Sequence, residues 1–554
     1  MSEFYTNIEV RGNSVLYMGW KNGIPIKEKI AYTPHLFVAS NEDTEYHAFQ
    51  TNQPLKKVDF ETIADMKTYV AAYGNISNFT LYGCSNVKRQ FTRAMFPMEI
   101  VWDYLQTKIF FFDIETRVEG LDTTEDAIFQ VRLEDEENFS VASYRQCMRL
   151  LDTDTPFYII ENEQEVFIKN AGVYVAGFPK PELAQQEITM VSLIDHHTAK
   201  LKVFTTLAPS SDNEIYKYDV DVMVFESEKS MLKEVVKYFA TTRIDVLCGW
   251  NSESFDMPYM VNRCTKIIGK ELTNFLSPWK VIKDRIVIPD NPNFDRFTTY
   301  ELLGITHLDY LDIYKKFNPG SKESFKLDYI AEYELGKKKV ENPTDNFRDF
   351  YLKYKDTFIH YNVIDVFLLH ELEHKLLMVK LAQSLAYIAK CNIGDVVSAM
   401  RLWESIIYNY FMDKNVIETW NKPRNDKKEI VGAYVHTPIP GKYGWTISVD
   451  ATALYPSIIM QNNLSPDTII EMLDFGELEL INGMLRGEHT GKFPDGSIIS
   501  ANGLITSKDH EGFLPYLIRQ MFDLRKKTKN LMLDKKKEQQ AVKLRLKELG
   551  VDIE

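Results

Sequence analysis

The segment Lys108-Ile-Phe-Phe-Phe-Asp-Ile-Glu115 constrains the fold of this chain more than any other. Its apolar run is typical of a strand buried in the centre of a sheet, yet the run ends in two acidic residues, Asp113 and Glu115. Residues two apart on a strand share one face, so the two carboxylates lie side by side. Buried carboxylates that close repel each other unless a cation lies between them. The simpler alternative is an exposed acidic pair on an edge strand, and the apolar residues before Asp113 argue against it.

Two further segments carry acidic residues in ordered elements. Tyr361 and Asp365 are four apart, so on a helix they are neighbours on one face. Asp256 follows an apolar strand and a Gly-Trp turn, with Asn251 and Phe255 beside it in sequence. Taken alone, each segment has a simpler interpretation, which is a packed tyrosine with a solvated aspartate in one case and an N-terminal helix carboxylate in the other.

The three segments together have a recognisable order. Asp-x-Glu, then Asn-x-x-x-Phe-Asp, then Tyr-x-x-x-Asp resembles the three motifs of proofreading exonucleases with a catalytic tyrosine. Two metal ions held by carboxylates activate a water and stabilise the leaving oxygen of a phosphodiester, and a tyrosine hydroxyl can orient that water. Hard oxygen ligands favour Mg²⁺ or Mn²⁺ over zinc. This resemblance implies two ions in one site, with these catalytic and metal-binding residues: Asp113, Glu115, Asp256, Tyr361 and Asp365.

Composition limits the alternatives only loosely. The 554 residues predict roughly three or four domains. The net charge of −14 means that any contact with DNA must come from local basic patches. The five cysteines form no Cys-x-x-Cys pair, which argues against a zinc site and fits a reducing compartment. No signal peptide and no membrane-spanning run is seen, so we expect a soluble, intracellular protein.

Local patterns predict the organisation of the chain. Residues 1–105 are expected to form short alternating strands, and residues 117–176 to be irregular and acidic. Residues 350–415 have a helical pattern throughout. A new β pattern begins near Glu429 and leads to Thr446-Ile-Ser-Val-Asp450, which is predicted to be a second buried strand that ends in a carboxylate. From Leu514 onward the pattern predicts a lysine-rich helix.

A second resemblance is carried by Ser448-Val-Asp-Ala-Thr-Ala-Leu-Tyr-Pro-Ser-Ile-Ile459, which is similar to the first polymerase motif of family B DNA polymerases. The opening Glu3-Phe-Tyr, the segment 308–317 and the segment 463–468 resemble replicative polymerases of large tailed bacteriophages. The resemblance implies an α/β and α+β multidomain fold. Its expected parts are an N-terminal β-rich domain (1–107), a ribonuclease H-like 3′→5′ exonuclease domain (108–377, with a probable insertion at 117–176), a helical return to the N-terminal domain (378–420), a partial palm (421–507) and a partial fingers helix (508–554).

The same resemblance assigns roles around the polymerase motif. Asp450 would bind the two catalytic metals of nucleotide addition, and Ala451 would contribute a backbone carbonyl. Tyr455 would pack under the sugar and exclude a 2′-hydroxyl, so the substrate would be a deoxynucleotide triphosphate. Ala453 and Leu454 would offer backbone N–H groups to the triphosphate. Without the resemblance, this segment is a buried strand that ends in a turn.

Two basic residues, Arg525 and Lys529, lie four apart and would form one stripe on a helix. In the family, matching residues of the fingers helix bind the triphosphate. Without the resemblance, a solvated lysine-rich helix is the better interpretation.

The chain departs from the family in two ways. The segment between Glu115 and Gly177 is longer than expected, and its acidity argues against contact with phosphate. The later family motifs Lys-x-x-x-Asn-Ser-x-Tyr-Gly and Asp-Thr-Asp-Ser do not occur in the sequence. The chain is therefore predicted not to polymerise alone. A naturally split polymerase, completed by a second polypeptide that also carries the sliding-clamp site, is favoured over a truncation.

The expected partners are primer–template DNA and single-stranded DNA, in the cytoplasm of an infected bacterial cell. Asn251 and Phe255 are candidate DNA contacts, with Phe255 stacking on a frayed base, although a core phenylalanine is the simpler interpretation. The segment 281–300 resembles the strand-separating hairpin of the family. Two alternatives stay open: a nucleic-acid-binding structural subunit with an inactive nuclease, and a stand-alone exonuclease.

Overall fold

The structure is a computed structural model of the chain. It describes residues 2–117, 128–143, 146–147, 150, 155–161, 164–168, 180–184, 186–288, 296–344, 347–420, 436–451, 453–472, 482–483, 486–488, 496–500 and 503–550. The chain forms two compact units: unit 1 is residues 1–48 with 53–422, and unit 2 is residues 49–52 with 423–554. Within the described ranges, no helix combines the length and apolar character needed to cross a membrane.

The first part of unit 1 contains two sheets and two helices. One sheet has the order β1 (Glu3–Arg11), β2 (Ser14–Lys21), β3 (Ile24–Ala31). The other contains β4 (His35–Ala39), β5 (Tyr46–Ala48), β6 (Pro54–Asp59) and β7 (Leu81–Tyr82), joined by β20 (Val416–Ile417) from later in the chain, in the order β20-β5-β6-β4-β7. The helices are α1 (Ile63–Tyr73) and α2 (Val87–Met95).

The prediction of strands alone in residues 1–105 was therefore incomplete. Helix α1 begins with a capping box, in which the Thr62 hydroxyl accepts from the Asp65 amide and the Asp65 carboxylate accepts from the Thr62 amide. Helix α2 begins at Asn86, whose side chain accepts from the Arg89 amide. These caps satisfy backbone N–H groups that a short helix otherwise leaves unpaired.

Strand β8 (Ile109–Thr116) is buried, as predicted. The described part of residues 117–176 contains a four-stranded antiparallel sheet in the order β10-β9-β11-β12. Its strands are β9 (Ile128–Leu133), β10 (Ser140–Ser143), β11 (Phe157–Glu161) and β12 (Gln164–Ile168). The prediction of an irregular segment was wrong here, because the acidic run 134–137 is only the turn that follows β9.

The largest sheet has six strands in the order β15-β14-β13-β8-β16-β19. Besides β8, these are β13 (Ile188–Asp195), β14 (Leu201–Thr205), β15 (Val220–Val224), β16 (Val246–Gly249) and β19 (Thr306–Asp309). Strand β8 pairs antiparallel with β13 and parallel with β16, so it lies inside the sheet. The alternation along β8 then sends Ile109 and Phe111 into one core and Phe110 and Phe112 into the other.

Helices cover both faces of this sheet. On the Phe110 side are α3 (Glu228–Thr241) and α4 (Asp256–Ile268), followed in the chain by α5 (Lys270–Thr273) and the hairpin of β17 (Ile282–Val287) and β18 (Phe297–Leu302). On the Phe111 side are α6 (Tyr310–Phe317), α7 (Leu327–Leu335), α8 (Phe347–Lys353), α9 (Lys355–Leu376), α10 (Met378–Ala389) and α11 (Ala399–Asp413). The prediction of helices through residues 350–415 is confirmed.

Unit 2 contains helix α12 (Leu454–Gln461), a three-stranded sheet and the long helix α13 (Phe513–Glu548). The sheet has the order β21 (Ile469–Met472), β23 (Leu504–Ser507), β22 (Ser497–Ile499). Asn463 joins these parts, since its side chain donates to the Ser507 and His510 carbonyls and accepts from the Gly512 amide at the start of α13. The predicted lysine-rich helix is confirmed.

The prediction of a buried strand at residues 446–450 was wrong. Residues 436–451 have no regular secondary structure, and Ile447 and Val449 are 89% and 88% exposed. An apolar strand is buried only where neighbouring strands pair with its edges and cover its faces. The described strands of unit 2 pair only with one another. The β pattern predicted near Glu429 lies outside the described residues.

Asp245 connects the N-terminal sheet to the six-stranded sheet. Its fully buried carboxylate accepts hydrogen bonds from the Thr6 hydroxyl at 2.9 Å, the Trp20 indole at 2.8 Å and the Lys108 amide at 2.9 Å. The guanidinium of Arg243 donates to it at 2.7 Å. The charge is thus compensated by partners from three different segments.

We expect Asp245→Ala to lower the free energy of unfolding of unit 1 by about 3–5 kcal/mol, because it removes a fully buried carboxylate and leaves the half-buried Arg243 guanidinium and the Trp20 indole without their partner. Urea unfolding followed by tryptophan fluorescence measures this loss. The control is Asp59→Ala, which removes an exposed carboxylate 2.8 Å from Lys57 and should cost about 0–1 kcal/mol. Equal losses in the two variants would contradict the connecting role of Asp245.

Candidate active site

Three carboxylates of unit 1 converge at the carboxyl end of β8. Oxygen atoms of Asp113, Glu115 and Asp365 all lie within 4.8 Å of one another. Strand β8 supplies the first two on its Phe111 face, and helix α9, which packs on that face, supplies the third. The predicted convergence of Asp-x-Glu with the helical Asp365 is therefore observed.

Asp256 adds a fourth carboxylate. It is the first residue of α4 and is 5% exposed. One carboxylate oxygen accepts a hydrogen bond from the Ile114 amide at 3.3 Å, and Ile114 lies between Asp113 and Glu115 on β8. The position at a helix start was predicted, and the contact with β8 brings Asp256 to the other carboxylates.

The loop between β16 and α4 is held in place by Asp309. The Asp309 carboxylate accepts from the backbone amides of Asn251 and Glu253, each at 3.0 Å. Asn251 has a φ of 59°, in the left-handed region that asparagine tolerates better than most residues. Gly249 is required at the end of β16, because a Cβ there would lie 2.5 Å from the Ser252 Cβ. This tight turn aims the start of α4 at β8.

Lys339 is the cation of the site. Its Nζ donates to the Tyr361 hydroxyl at 3.1 Å and forms an ion pair with Asp365. On the other side, the Asn362 amide donates to the Asp113 carboxylate at 2.6 Å. Tyr361, Asn362 and Asp365 therefore lie on one face of α9, and each directs a polar group into the site.

Burial is the main cause of the raised pKa values in the site. Burial, reinforced by Asp256, Glu115 and Asp365, raises the pKa of Asp113 well above its usual range. Burial and the charge of Asp365 do the same to the pKa of Glu115. Burial raises the pKa of Asp256 to about 7, although backbone hydrogen bonds oppose the shift.

Lys339 moderates this repulsion. Burial raises the pKa of Asp365 to about 6, while the charge of Lys339 lowers it. Burial disfavours the ammonium form of Lys339, but the charges of Asp365 and Tyr361 outweigh that effect and raise its pKa above the usual value. Burial and Asp365 also raise the pKa of Tyr361, so its hydroxyl keeps its proton.

The donor set fits a hard divalent cation. The second carboxylate oxygen of Asp365 is buried and has no hydrogen-bond partner among the residues that the structure describes. Among the residues that the structure describes, four carboxylates lie near one lysine, so the local charge is negative and a cation would lower the repulsion. Oxygen-only ligands favour Mg²⁺ or Mn²⁺. The residues that would hold such ions are Asp113, Glu115, Asp256 and Asp365.

The sequence did not single out Lys339, Asn362 or Asp309. Lys339 ends the run Lys337-Lys-Lys339, which is typical of a solvated loop. It lies 26 positions before Asp365, so no helical spacing relates the two residues. Asn362 carried a usable signal, since it lies three residues before Asp365 and therefore on the same helix face. Asp309 appears in a family-like segment, but its capping of the 251–253 loop is a tertiary contact.

The candidate DNA contacts lie at the edge of this site. Asn251 is exposed, whereas Phe255 is half-buried and packs on Tyr259, with ring centroids 5.4 Å apart. Part of the Phe255 side chain is therefore packed as in a core residue, and the rest is exposed. The predicted hairpin at 281–300 is observed as β17 and β18, and its role in separating strands stays a prediction.

The predicted polymerase residues belong to unit 2. Asp450 and Ala451 are exposed in a segment without regular structure, and Tyr455 is 69% exposed. Ala453 precedes α12 with a φ of 51°, and Leu454 is the first residue of that helix. Arg525 and Lys529 are exposed on α13. Helices α12 and α13 contact each other, but the described residues show no ligand set around Asp450.

Comparison with known proteins matches parts of both units to one family. Residues 168–330 match "DNA polymerase family B, exonuclease domain", and residues 398–549 match "DNA polymerase family B". The chain is 28% identical over 552 residues to a "DNA-directed DNA polymerase" of Escherichia phage RB69 and 26% identical over 551 residues to that of Enterobacteria phage T4. Both matches cover 98% of this chain. A "DNA polymerase" of Pyrococcus glycovorans is 23% identical over 413 residues, covering 69% of this chain and 46% of that protein.

The chain belongs to the family B DNA polymerases. It spans about half the length of the phage relatives, 55% in both cases. The matches place Asp256 in the exonuclease domain and Asp450 in the polymerase domain. They give no support to the predicted division of the enzyme between two polypeptides.

We expect Asp256→Asn to stabilise the metal-free protein at pH 8. The pKa of Asp256 is about 7 in the folded state and about 3.9 in an unfolded chain, so its ionisation between pH 4 and pH 7 destabilises the fold. The amide removes this charge and keeps an oxygen for the Ile114 amide. The gain in free energy of unfolding should be roughly 2–4 kcal/mol at pH 8 and vanish below about pH 4.

Urea unfolding at several pH values in EDTA measures this gain. The matched control is Asp221→Asn on the edge strand β15, whose carboxylate is half-exposed and should show no such pH dependence. A gain in Asp256→Asn that is independent of pH would rule out ionisation of the buried carboxylate as its cause.

Proposed function

We propose that unit 1 is a 3′→5′ exonuclease that removes nucleotides from single-stranded DNA or from a frayed primer end. The observation that carries this proposal is the convergence of Asp113, Glu115 and Asp365 within 4.8 Å, with Asp256 adjoining them through the Ile114 amide. Carboxylates in this density have no structural use, because their mutual repulsion costs stability. They are explained by cations that hold a phosphodiester.

Divalent ions, when bound by these carboxylates, would activate a water and stabilise the leaving oxygen of the phosphodiester. The chain's own residues then act around them. Burial and the charge of Asp365 raise the pKa of Tyr361, so its hydroxyl stays protonated and is available to orient a water by hydrogen bonding. Lys339 holds that hydroxyl and the Asp365 carboxylate in one position. Asn362 fixes the orientation of Asp113.

The two other interpretations of unit 1 are less well supported. An inactive nuclease would not be expected to retain four buried carboxylates, since each isolated one is unfavourable in a protein interior. A stand-alone exonuclease leaves the family B polymerase match over residues 398–549 without a role. We therefore propose that excision serves proofreading by a DNA polymerase.

We further propose that unit 2 contributes to nucleotide addition, with primer–template DNA and deoxynucleotide triphosphates as substrates. In this proposal Asp450 and Ala451 bind metal, and Tyr455 excludes a 2′-hydroxyl. The backbone amides of Ala453 and Leu454 and the side chains of Arg525 and Lys529 bind the triphosphate. The polymerase match over residues 398–549 supports these roles. A second polypeptide that supplies further polymerase motifs and a sliding-clamp site remains a prediction.

The exonuclease proposal predicts that Asp113→Ala and Asp365→Ala abolish Mg²⁺-dependent shortening of a 3′-terminal single strand. Loss of ligands to the ions should reduce the rate by at least about 10³-fold. Tyr361→Phe should retain metal binding and lose about 10²-fold, as expected for a group that positions the water.

The assay follows a 5′-labelled oligonucleotide on a denaturing gel. Asp221→Ala, which changes a distant carboxylate of the same sheet, should leave the rate unchanged. Wild-type protein that binds Mn²⁺ at the carboxylates but does not shorten the oligonucleotide would refute the assignment.

The polymerase proposal predicts that Asp450→Ala, tested in this chain combined with the polypeptide that supplies the further polymerase motifs, abolishes primer extension and leaves exonuclease activity intact. Primer extension with deoxynucleotides and with ribonucleotides measures this separation. Tyr455→Ala should admit ribonucleotides, because it removes the ring that crowds the 2′ position. Primer extension that survives Asp450→Ala would exclude this residue from the metal site.

A further inference from the structure

Four of the 11 histidines of the chain lie together at the other end of helix α9 from Tyr361. His196 and His197 follow strand β13, and His370 and His374 lie one turn apart on α9. The ring centroid of His196 is 5.1 Å from that of His197, 5.2 Å from that of His370 and 6.4 Å from that of His374. The His370 and His374 centroids are 6.2 Å apart.

The inner members of this cluster have unused nitrogen atoms. His196 and His370 are 6% and 8% exposed, and Nδ1 of each has no hydrogen-bond partner in the described part of the chain. Buried polar atoms are nearly always paired, so two unpaired nitrogens in neighbouring rings need an explanation. Nε2 of His197 donates to the Thr107 carbonyl at 2.9 Å, whereas His374 is exposed and opens the cluster to solvent.

The protonation state of the cluster suits metal ligation, which requires neutral imidazoles. Burial, together with the charges of His370, His197 and His374, lowers the pKa of His196 to about 3. Burial and His374 also lower the pKa of His370, against the opposing charges of Glu371 and Asp195. Those two carboxylates would offset part of the charge of a bound cation.

The spacing of the rings also suits a shared ion. A Zn–N bond of about 2.0–2.1 Å and tetrahedral angles place two bound imidazole centroids roughly 5 Å apart. His196 and His370 already have this separation, and His374 would have to approach by roughly 1 Å. Among the described residues only the carboxylates have three ligand atoms within 4.8 Å, so binding requires rotation of the histidine rings.

We propose that His196, His370 and His374 form a second metal site, for a transition-metal ion that prefers imidazole, such as Zn²⁺, Co²⁺ or Ni²⁺. His197 lines the site and is held by its hydrogen bond to Thr107. A bound ion connects β13 to α9. It therefore fastens the helix that carries Tyr361 and Asp365 to the sheet that carries Asp113 and Glu115.

Titration of the whole chain with Co²⁺ in excess Mg²⁺ tests this proposal. Mg²⁺ occupies the carboxylates, and nitrogen-ligated Co²⁺ of low coordination number absorbs visible light far more strongly than Co²⁺ in an all-oxygen site. We expect one strongly absorbing Co²⁺ per chain, displaced by one equivalent of Zn²⁺. We also expect Zn²⁺ to raise the unfolding temperature, because it binds only the folded state.

The key variant is His374→Ala, because an exposed position should tolerate it without unfolding. Loss of this ligand should weaken Co²⁺ binding by at least about 10–100-fold, which is the loss expected when only a hydrogen-bond partner of a metal ligand is removed. It should also remove the visible bands. His196→Asn should do the same. The matched control is His47→Ala, which removes a partly exposed imidazole elsewhere in unit 1 and should bind Co²⁺ like the wild type.

Circular dichroism in EDTA shows whether each variant is folded. Absence of strong Co²⁺ bands in the wild type would overturn the proposal and leave the cluster as aromatic packing. Bands that persist in folded His374→Ala would overturn it as well. The exonuclease rate in Mg²⁺ is recorded separately, so failure of the histidine site and failure of the exonuclease assignment are distinguishable.

Discussion

The crowding of four carboxylates, three of them buried and that of Asp113 half-buried, is the constraint on which the rest of unit 1 depends. Asp113 and Glu115 on β8 cannot ionise together at low cost without a nearby cation. Among the described residues, the fold supplies Lys339 as a cation and the Ile114 amide and the Asn362 side chain as hydrogen-bond donors, and it leaves the remaining negative charge for ions. Burial is the main cause of the raised pKa values of Asp113, Glu115, Asp256 and Asp365, and neighbouring carboxylates add to it.

The position of β8 explains how such a site is built. As an inner strand it has cores on both faces, so its backbone is fixed by neighbours on both edges. The parallel pairing with β16 brings the β16–α4 loop, and with it Asp256, to the end of β8. Helix α9 packs on the Phe111 face and places Tyr361 and Asp365 beside the carboxylates of β8. The same helix continues to His370 and His374, so one rigid element serves both proposed metal sites.

Several features were predictable from sequence because they depend on local periodicity. The apolar run before Asp113 predicted a buried strand, and the four-residue spacing of Tyr361 and Asp365 predicted one helix face. The same reasoning failed at residues 446–450. There the alternation is that of a strand, but burial depends on neighbouring strands that a local pattern does not specify. It also missed α1 and α2, whose caps at Thr62 and Asn86 were the available signals.

The sequence by itself determined which residues are candidates for the chemistry, since Asp113, Glu115, Asp256, Tyr361 and Asp365 stand in segments whose order and spacing resemble exonuclease motifs. Only the tertiary structure decided what surrounds them. Lys339 reaches Asp365 from a different loop, and the histidines of β13 and α9 meet across 173 or more positions of the chain (370 − 197 = 173). Such contacts follow from strand pairing and helix packing, which bring together side chains whose separation in sequence carries no periodic signal.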